Sequence, residues 1–383
     1  MTPTSPSEYE LLVSLLTKCP QTIEVLPGDG SIWTPAQNPG DIKSHSEPSL
    51  APFLFVEGNL GIPQKVLYKL YLHAVSVFKS ARSCVPTRPT IMVQRNHDLD
   101  ASLIRILADS SSILLLANPS HQTALNARKH LVRMHLIDPH AELCFTSSLL
   151  SSQHCAKHAE LWYHRRWLLS AAYDANLLAI AGVDSFGPIR FASGEALRQE
   201  LQLVSRACEL YPRNYFAWTH RLICMRSLLS DYLTGIDIVG FIPILRNEIA
   251  GIKQWIDHHV SDYSAVHTIL GLSQAVFQSG DSFLMGIIIE ENLLDHAISL
   301  VQGYPSHEAL WMYTRIAISI SDSQQAQQIQ MFIDRFVQPF VQLQCSKTGV
   351  EEDLVKVSQY ARQLLNKRGI SQGQYKQLYI ISQ

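Results

Sequence analysis

The feature that most constrains this chain is a register that recurs five times. The stretches ELWYHRRWLL (160–169) and NYFAWTHRLI (214–223) share a tryptophan followed three positions on by an arginine. Aligned on that tryptophan, the chain yields anchors at Leu125, Trp162, Trp218, Val266 and Trp311. Three residues beyond them stand Arg128, Arg165, Arg221, Ile269 and Thr314, the last with Arg315 beside it. Four residues before them stand His121, His158, Asn214, Asp262 and His307. Agreement is strong in the second and third copies, partial in the first and fifth, and poor in the fourth. Successive anchors are 37, 56, 48 and 45 residues apart, which suits two helices per unit with an insertion at 174–193.

The local patterning is helical. Residues 63–83 place Val66, Leu67, Leu70, Tyr71, Ala74, Val77 and Phe78 at three- and four-residue intervals behind Pro63, one apolar face of a helix. The same period predicts helices over 101–116, 195–210, 242–259, 283–300 and 324–343, and strand-like alternation is almost absent. Asn214 and Asp262 fall at helix N-caps, where their side chains accept from the first turn. The tryptophan then shares a face with the arginine three residues on, so a guanidinium can stack on indole and still reach a carboxylate. Helix pairs repeated in this way predict an all-α fold, an α-α superhelix or solenoid of about five hairpins, crescent-shaped. Residues 1–62 are read as an N-terminal helix and an irregular segment, Pro-, Gly- and Ser-rich over 21–52. Residues 63–345 form the solenoid, and 346–383 a capping helix and tail.

Composition narrows the function. The 31 Lys and Arg against 33 Asp and Glu give a net charge of −2, so no global field collects nucleic acid. With 46% hydrophobic and 17% charged residues, the chain suits a large buried surface and an apolar face for a protein partner. The seven cysteines (Cys19, Cys84, Cys144, Cys155, Cys208, Cys224, Cys345) are scattered and never in a C-x-x-C pair, so free, reduced thiols are expected. The N-terminus lacks the basic start of a secretory leader, and no run is long enough for a transmembrane helix, which points to a cytoplasmic protein.

The pattern N-Y-x-A-W-x-x-R, carried by Asn214, Tyr215, Ala217, Trp218 and Arg221, together with L-W-Y-H-R-R at 161–166, resembles the repeat of protein prenyltransferase α subunits. The resemblance covers about residues 100–320 and implies helical hairpins wrapped around a separate β subunit. That subunit would hold the catalytic zinc and most of the isoprenoid pocket; the α chain would be inactive alone. The implied reaction is geranylgeranyl transfer from geranylgeranyl diphosphate to C-terminal cysteines of proteins, including an already farnesylated SNARE. The implied partner is the Rab geranylgeranyltransferase β subunit, the pair forming a type III geranylgeranyltransferase.

In such α subunits a lysine five positions before the second tryptophan reaches the isoprenoid diphosphate; here it is Lys157. A positioned ammonium stabilises the charge that develops on the departing diphosphate. The equivalent positions of the other copies are Ser120, Arg213, Ser261 and Ser306. Two departures stand beside it. Glu160 replaces a glutamine that binds the carboxylate of a CaaX peptide, and like charges there would repel. Phe216 replaces a histidine near the diphosphate, next to a retained Tyr215. Both point to a substrate presented differently from an ordinary CaaX peptide.

For Trp162, Trp218 and Trp311 the plain reading is packing between repeats, and for Arg128, Arg165 and Arg221 it is a structural ion pair. His154, Cys155, His158 and His164 match no zinc spacing and read as a fortuitous cluster. No nucleophile elbow, P-loop or dinucleotide fingerprint occurs. The alternative from another class is a non-catalytic α-solenoid scaffold, although TPR units recur at about 34 residues and these spacings are longer.

Overall fold

The computed structural model describes residues 7–31, 50–84, 101–173, 189, 191, 193–236, 240–321, 323–342 and 352–366. Over these the chain is all-α apart from one small sheet. It divides into two compact units, Met1–His220 and Arg221–Gln383.

In the first unit, α1 (Glu8–Thr17) begins at a capping box in which Ser7 and Glu10 each accept from the other's backbone N–H. It buries Leu11, Leu12, Val13, Leu15 and Leu16. Three strands follow: β1 (Thr22–Leu26), β2 (Leu54–Val56) and β3 (Asn59–Pro63). β3 is central, parallel to β1 with Thr22 opposite Asn59, and antiparallel to β2. The reading of 21–52 as irregular is corrected at Thr22–Leu26; residues 32–49 lie outside the described residues. The strand was hidden because its five residues pair with a segment distant in sequence, which no local pattern reports.

That N-terminal segment is fastened to α5 (Pro139–Leu150), which follows α2 (Gln64–Ser83), α3 (Ala101–Ala117) and α4 (Gln122–Arg133). Ser148 Oγ donates to the Pro20 carbonyl at 2.7 Å, and Ile23 N donates to Ser151 Oγ at 3.1 Å. On the same face of the helix, Cys144 is disulfide-bonded to Cys19, with Cα atoms 5.8 Å apart. The expectation of free thiols throughout is therefore corrected at this pair. Cys84, Cys155, Cys208 and Cys224 are free, and Cys345 lies outside the described residues. The pairing escaped the sequence reading because a separation of 125 residues carries no spacing signature.

The remaining helices of the first unit are α6 (Gln153–Ala156), α7 (Ala159–Tyr173), α8 (Gly194–Leu210) and the start of α9 (Tyr215–Leu233), which runs on into the second. Of the insertion at 174–193, only residues 189, 191 and 193 are described. Ile189 and Phe191 are buried. Val132, Trp167, Leu168 and Ala171 form one patch of the core, with Ile137 and Leu143 packed against it.

The second unit continues with α10 (Phe241–His258), α11 (Tyr263–Ser279), α12 (Ser282–Glu290), α13 (Leu293–Gly303) and α14 (Glu308–Ile320). At Gly271 on α11 an added Cβ would stand 2.6 Å from Leu222 Cδ2, so a side chain there would require Leu222 of α9 to move aside. The single helix expected over 283–300 is broken at Asn292, whose φ of 50° is left-handed, a conformation asparagine tolerates better than most residues. The helix expected over 324–343 is a composite: a 3-10 turn at Ser323–Gln325, α15 (Ala326–Phe332), a π segment at Ile333–Val337 and α16 (Gln338–Gln342). α17 (Glu352–Asn366) closes the described chain; the tail at 367–383 lies outside it.

Candidate functional site

Each anchor sits inside a second helix of a hairpin, as the fourth residue of that helix. His121 Nδ1 accepts from Ala124 N at 3.1 Å and Asn214 Oδ1 from Ala217 N at 3.1 Å. Asp262 Oδ1 accepts from Ser264 N at 2.9 Å and from Ala265 N at 3.3 Å. Trp162 is fully buried and Trp218 and Trp311 nearly so. The indole has a second role: Trp162 Nε1 donates to the Ala156 carbonyl at 2.8 Å, and Trp311 Nε1 to the Pro305 carbonyl at 2.7 Å. In both copies the ring thereby holds the turn that precedes its own helix.

This turn carries Lys157. The Ala156 carbonyl accepts a further bond from Asn214 Nδ2 at 2.9 Å, so it is held by the tryptophan of the second repeat and the capping asparagine of the third. Lys157 is the next residue, exposed at the C-cap of α6, and makes no side-chain hydrogen bond or ion pair among the described residues. Arg213 precedes Asn214, exposed and with left-handed backbone at φ 59°. Tyr215 follows it, 55% exposed, with Phe216 half-buried and edge-on to the tyrosine at 5.6 Å between ring centroids. Two cations and a phenol are thus gathered at either end of one backbone-to-side-chain bond.

Glu160 is half-buried and engaged elsewhere. Ser120 Oγ donates to Glu160 Oε2 at 3.1 Å and lies 2.8 Å from His158 Nδ1. Since the hydroxyl proton goes to the carboxylate, the His158 Nδ1–H donates to the hydroxyl. Burial lowers the His158 pKa, with the neighbouring His154 adding to the effect against the opposing charge of Glu160.

The arginines three residues past the first three anchors form buried ion pairs. Arg128 grips Glu142 through Nε at 2.7 Å and Nη2 at 2.6 Å, and its guanidinium lies 4.2 Å over Phe145. Arg165 grips Glu200 at 2.7 and 2.6 Å, with Nη1 on the Leu143 carbonyl and Thr146 Oγ1. Arg221 grips Glu248 at 2.5 and 2.8 Å. Each carboxylate stands on the first helix of the following repeat.

Two of these carboxylates take a further partner that the sequence reading passed over. His164 Nε2 lies 3.1 Å from Glu142 Oε1, and His220 Nε2 lies 2.6 Å from Glu200 Oε1. Burial raises the Glu142 carboxyl, but Arg128 and the His164 hydrogen bond outweigh it and hold it at about 2. The carboxylate is therefore ionised and the imidazole must donate to it. Burial lowers the pKa of both histidines despite the adjacent carboxylates, so they are neutral. The signal was present: copies two and three both read W-x-H-R, at 162–165 and 218–221.

His164 is thereby separated in role from His154, Cys155 and His158, with which it was grouped in the sequence. The His154 and His158 rings meet edge-on at 5.5 Å, while burial pushes the Cys155 thiol up to about 12. Among the described residues no three His, Cys, Asp or Glu side chains converge as a metal site. None of the described helices is long and apolar enough to cross a membrane.

An all-α protein of hairpins with this repeat register defines a class, and comparison with known proteins agrees. Residues 197–228, running from α8 into α9 through Asn214, Trp218 and Arg221, match the family model of the protein prenyltransferase alpha subunit repeat. The resemblance read from the tryptophan register is borne out. The chain is 26% identical over 297 residues to protein prenyltransferase alpha subunit repeat-containing protein 1 of Danio rerio, covering 69% of this chain and 63% of that one. It is 28% identical over 242 residues to the Homo sapiens protein of the same name, covering 55% and 58%. Geranylgeranyl transferase type-2 subunit alpha of Bos taurus is 24% identical over 253 residues, covering 63% of this chain and 38% of that subunit. The match thus spans less than two thirds of each relative's own length.

Proposed function

We propose that this chain is the α-type subunit of a heterodimeric protein prenyltransferase, which transfers a geranylgeranyl group from its diphosphate to a C-terminal cysteine of a protein. The observation that carries the reading is Lys157. An exposed ammonium stands on a turn held by two buried hydrogen bonds, with Arg213 and Tyr215 beside the same anchor point. A rigidly presented cation without a carboxylate of its own suits a diphosphate, whose charge grows as the carbon–oxygen bond to the prenyl group breaks. In this reading Lys157 stabilises the leaving diphosphate and Tyr215 is positioned near it.

Zinc, which activates the cysteine thiol in this chemistry, is assigned to the partner β subunit, and no residue of this chain is given a part in holding it. The Rab geranylgeranyltransferase β subunit is the partner proposed, in the cytoplasm, and a farnesylated SNARE is one substrate proposed. Glu160 supports a substrate other than an ordinary CaaX peptide, because its carboxylate would repel the terminal one.

The test is co-expression with that β subunit and an assay of transfer from geranylgeranyl diphosphate to a C-terminal cysteine peptide. A stable complex is expected, and Lys157→Ala should leave assembly intact while slowing transfer by about 10²–10³-fold. Unchanged turnover would remove Lys157 from the mechanism. A chain that is stable alone and binds no β subunit would establish the scaffold reading instead.

A further inference from the structure

In the fifth repeat the arginine has moved one place along the helix. Thr314 occupies the position of Arg128, Arg165 and Arg221, fully buried, with its hydroxyl on the Leu310 carbonyl at 2.9 Å. Arg315 comes next and points elsewhere. It is half-buried and has no hydrogen bond, ion pair or electrostatic partner among the described residues. The three arginines at the regular position each receive a buried glutamate; this one receives none.

Arg315 instead lines a cleft of about 330 Å³ between α14 and α17. Glu308, Trp311, Met312 and Arg315 recur at three- and four-residue intervals, so they form one face of α14. Tyr360 and Leu364 face them from α17. Trp311 is fixed by its bond to Pro305 and by stacking on Phe336, with ring centroids 6.0 Å apart. The cleft therefore has a cationic end at Arg315 and walls that are mainly apolar, with the side chain of Gln363 on α17 as a polar member of the lining. Its far end is Glu308, two turns away, whose carboxylate accepts from Tyr263 Oη at 2.8 Å.

We propose that this cleft binds an amphiphile with a single anionic end, a carboxylate or a phosphate, carried on an apolar body. A guanidinium partly withdrawn from water and lacking an ion-pair partner among the described residues offers an oxyanion two parallel hydrogen bonds. Trp311, Met312, Tyr360 and Leu364 take the apolar body, and the volume is of the size that holds a small ligand. Glu308 repels a second negative charge at the other end, which selects a molecule anionic at one end only. The cleft lies wholly in the second unit and Lys157 in the first, so this inference stands or falls apart from the transferase reading.

The experiment is NMR on the full chain labelled with ¹³C at the methionine methyl groups, the Met312 signal being assigned by its loss in Met312→Leu. Decanoate, decyl phosphate and decanol are titrated in below their micelle concentrations. At least one of the two anions should shift the Met312 signal saturably, the tighter one naming the headgroup. Decanol should bind more weakly, and in Arg315→Gln the affinity for the anion should fall about tenfold to a hundredfold. No saturable shift with either anion, or equal binding of decanol or by Arg315→Gln, would overturn the proposal. A folded state for Arg315→Gln is checked by the unchanged methyl signals of the other methionines.

Discussion

Glu200 joins two repeats through one carboxylate. It receives Arg165 from the repeat before and His220 from the helix paired with its own. Burial alone would raise its pKa; Arg165 and the His220 hydrogen bond outweigh that and hold it well below the usual carboxylate range. An ion pair so deeply buried is weak support for stability in itself, but breaking one half of it is severe. Glu200→Gln leaves Arg165 charged and buried without a counter-charge and should lower unfolding free energy by about 3–5 kcal/mol, read by urea denaturation. The double change Arg165→Met with Glu200→Leu should recover part of that loss, because both charges go together while His220 is left without its acceptor. The fourth repeat already carries such a replacement. Ile269 stands where the arginine would be, and Leu293 precedes Trp311 by the interval that separates Glu200 from Trp218; both are buried. The arginine was legible in the sequence as a recurring position. Its glutamate was not, because the connection between the two helices varies in length from repeat to repeat.

The tryptophan registers one element against another. Trp162 and Asn214 both donate to the carbonyl of Ala156, so the short helix α6 and the turn after it are fixed relative to α7 and α9. Trp162→Phe keeps the apolar ring and removes one of those donors. It should cost about 1–3 kcal/mol, the range for leaving a buried polar group with a bond unmade. It should also loosen the Lys157 turn, seen as faster amide hydrogen exchange at 156–158, with little change in α2. The helices themselves were legible, because the three-to-four-residue apolar period and the Asn214 and Asp262 caps are local signals. The break at Asn292 and the strand Thr22–Leu26 were not. The first is a single left-handed residue inside an apolar run, and the second exists only through its pairing with Asn59–Pro63 and its docking on Ser148 and Ser151.

Across the whole molecule the buried glutamates and histidines make stability depend on acid. Folding depresses the pKa of His164 and His220 below 6.5, so their contribution is complete above that pH and is lost as the pH falls through the folded values. Glu142, depressed from 4.5 to about 2, contributes above pH 4.5 and loses that contribution on further acidification. The melting temperature should therefore decline in two stages, one beginning below pH 6.5 and a steeper one below 4.5. His164→Gln should shrink the upper stage and keep most of the lower, since Arg128 still holds Glu142 and the new amide can donate to it, and a melting temperature flat between pH 7 and 5 would refute the assignment. The sequence by itself determined the class of fold, the number of repeats and the address of Lys157, since periodicity, caps and a recurring tryptophan are properties of neighbours along the chain. Only the tertiary structure decided which carboxylate meets which arginine, that Cys19 bonds Cys144, that Glu160 is engaged by Ser120, and that Arg315 lines a cleft without an ion pair among the described residues. Those depend on which distant segments the packing brings within a few ångströms, and sequence spacing carries no record of that distance.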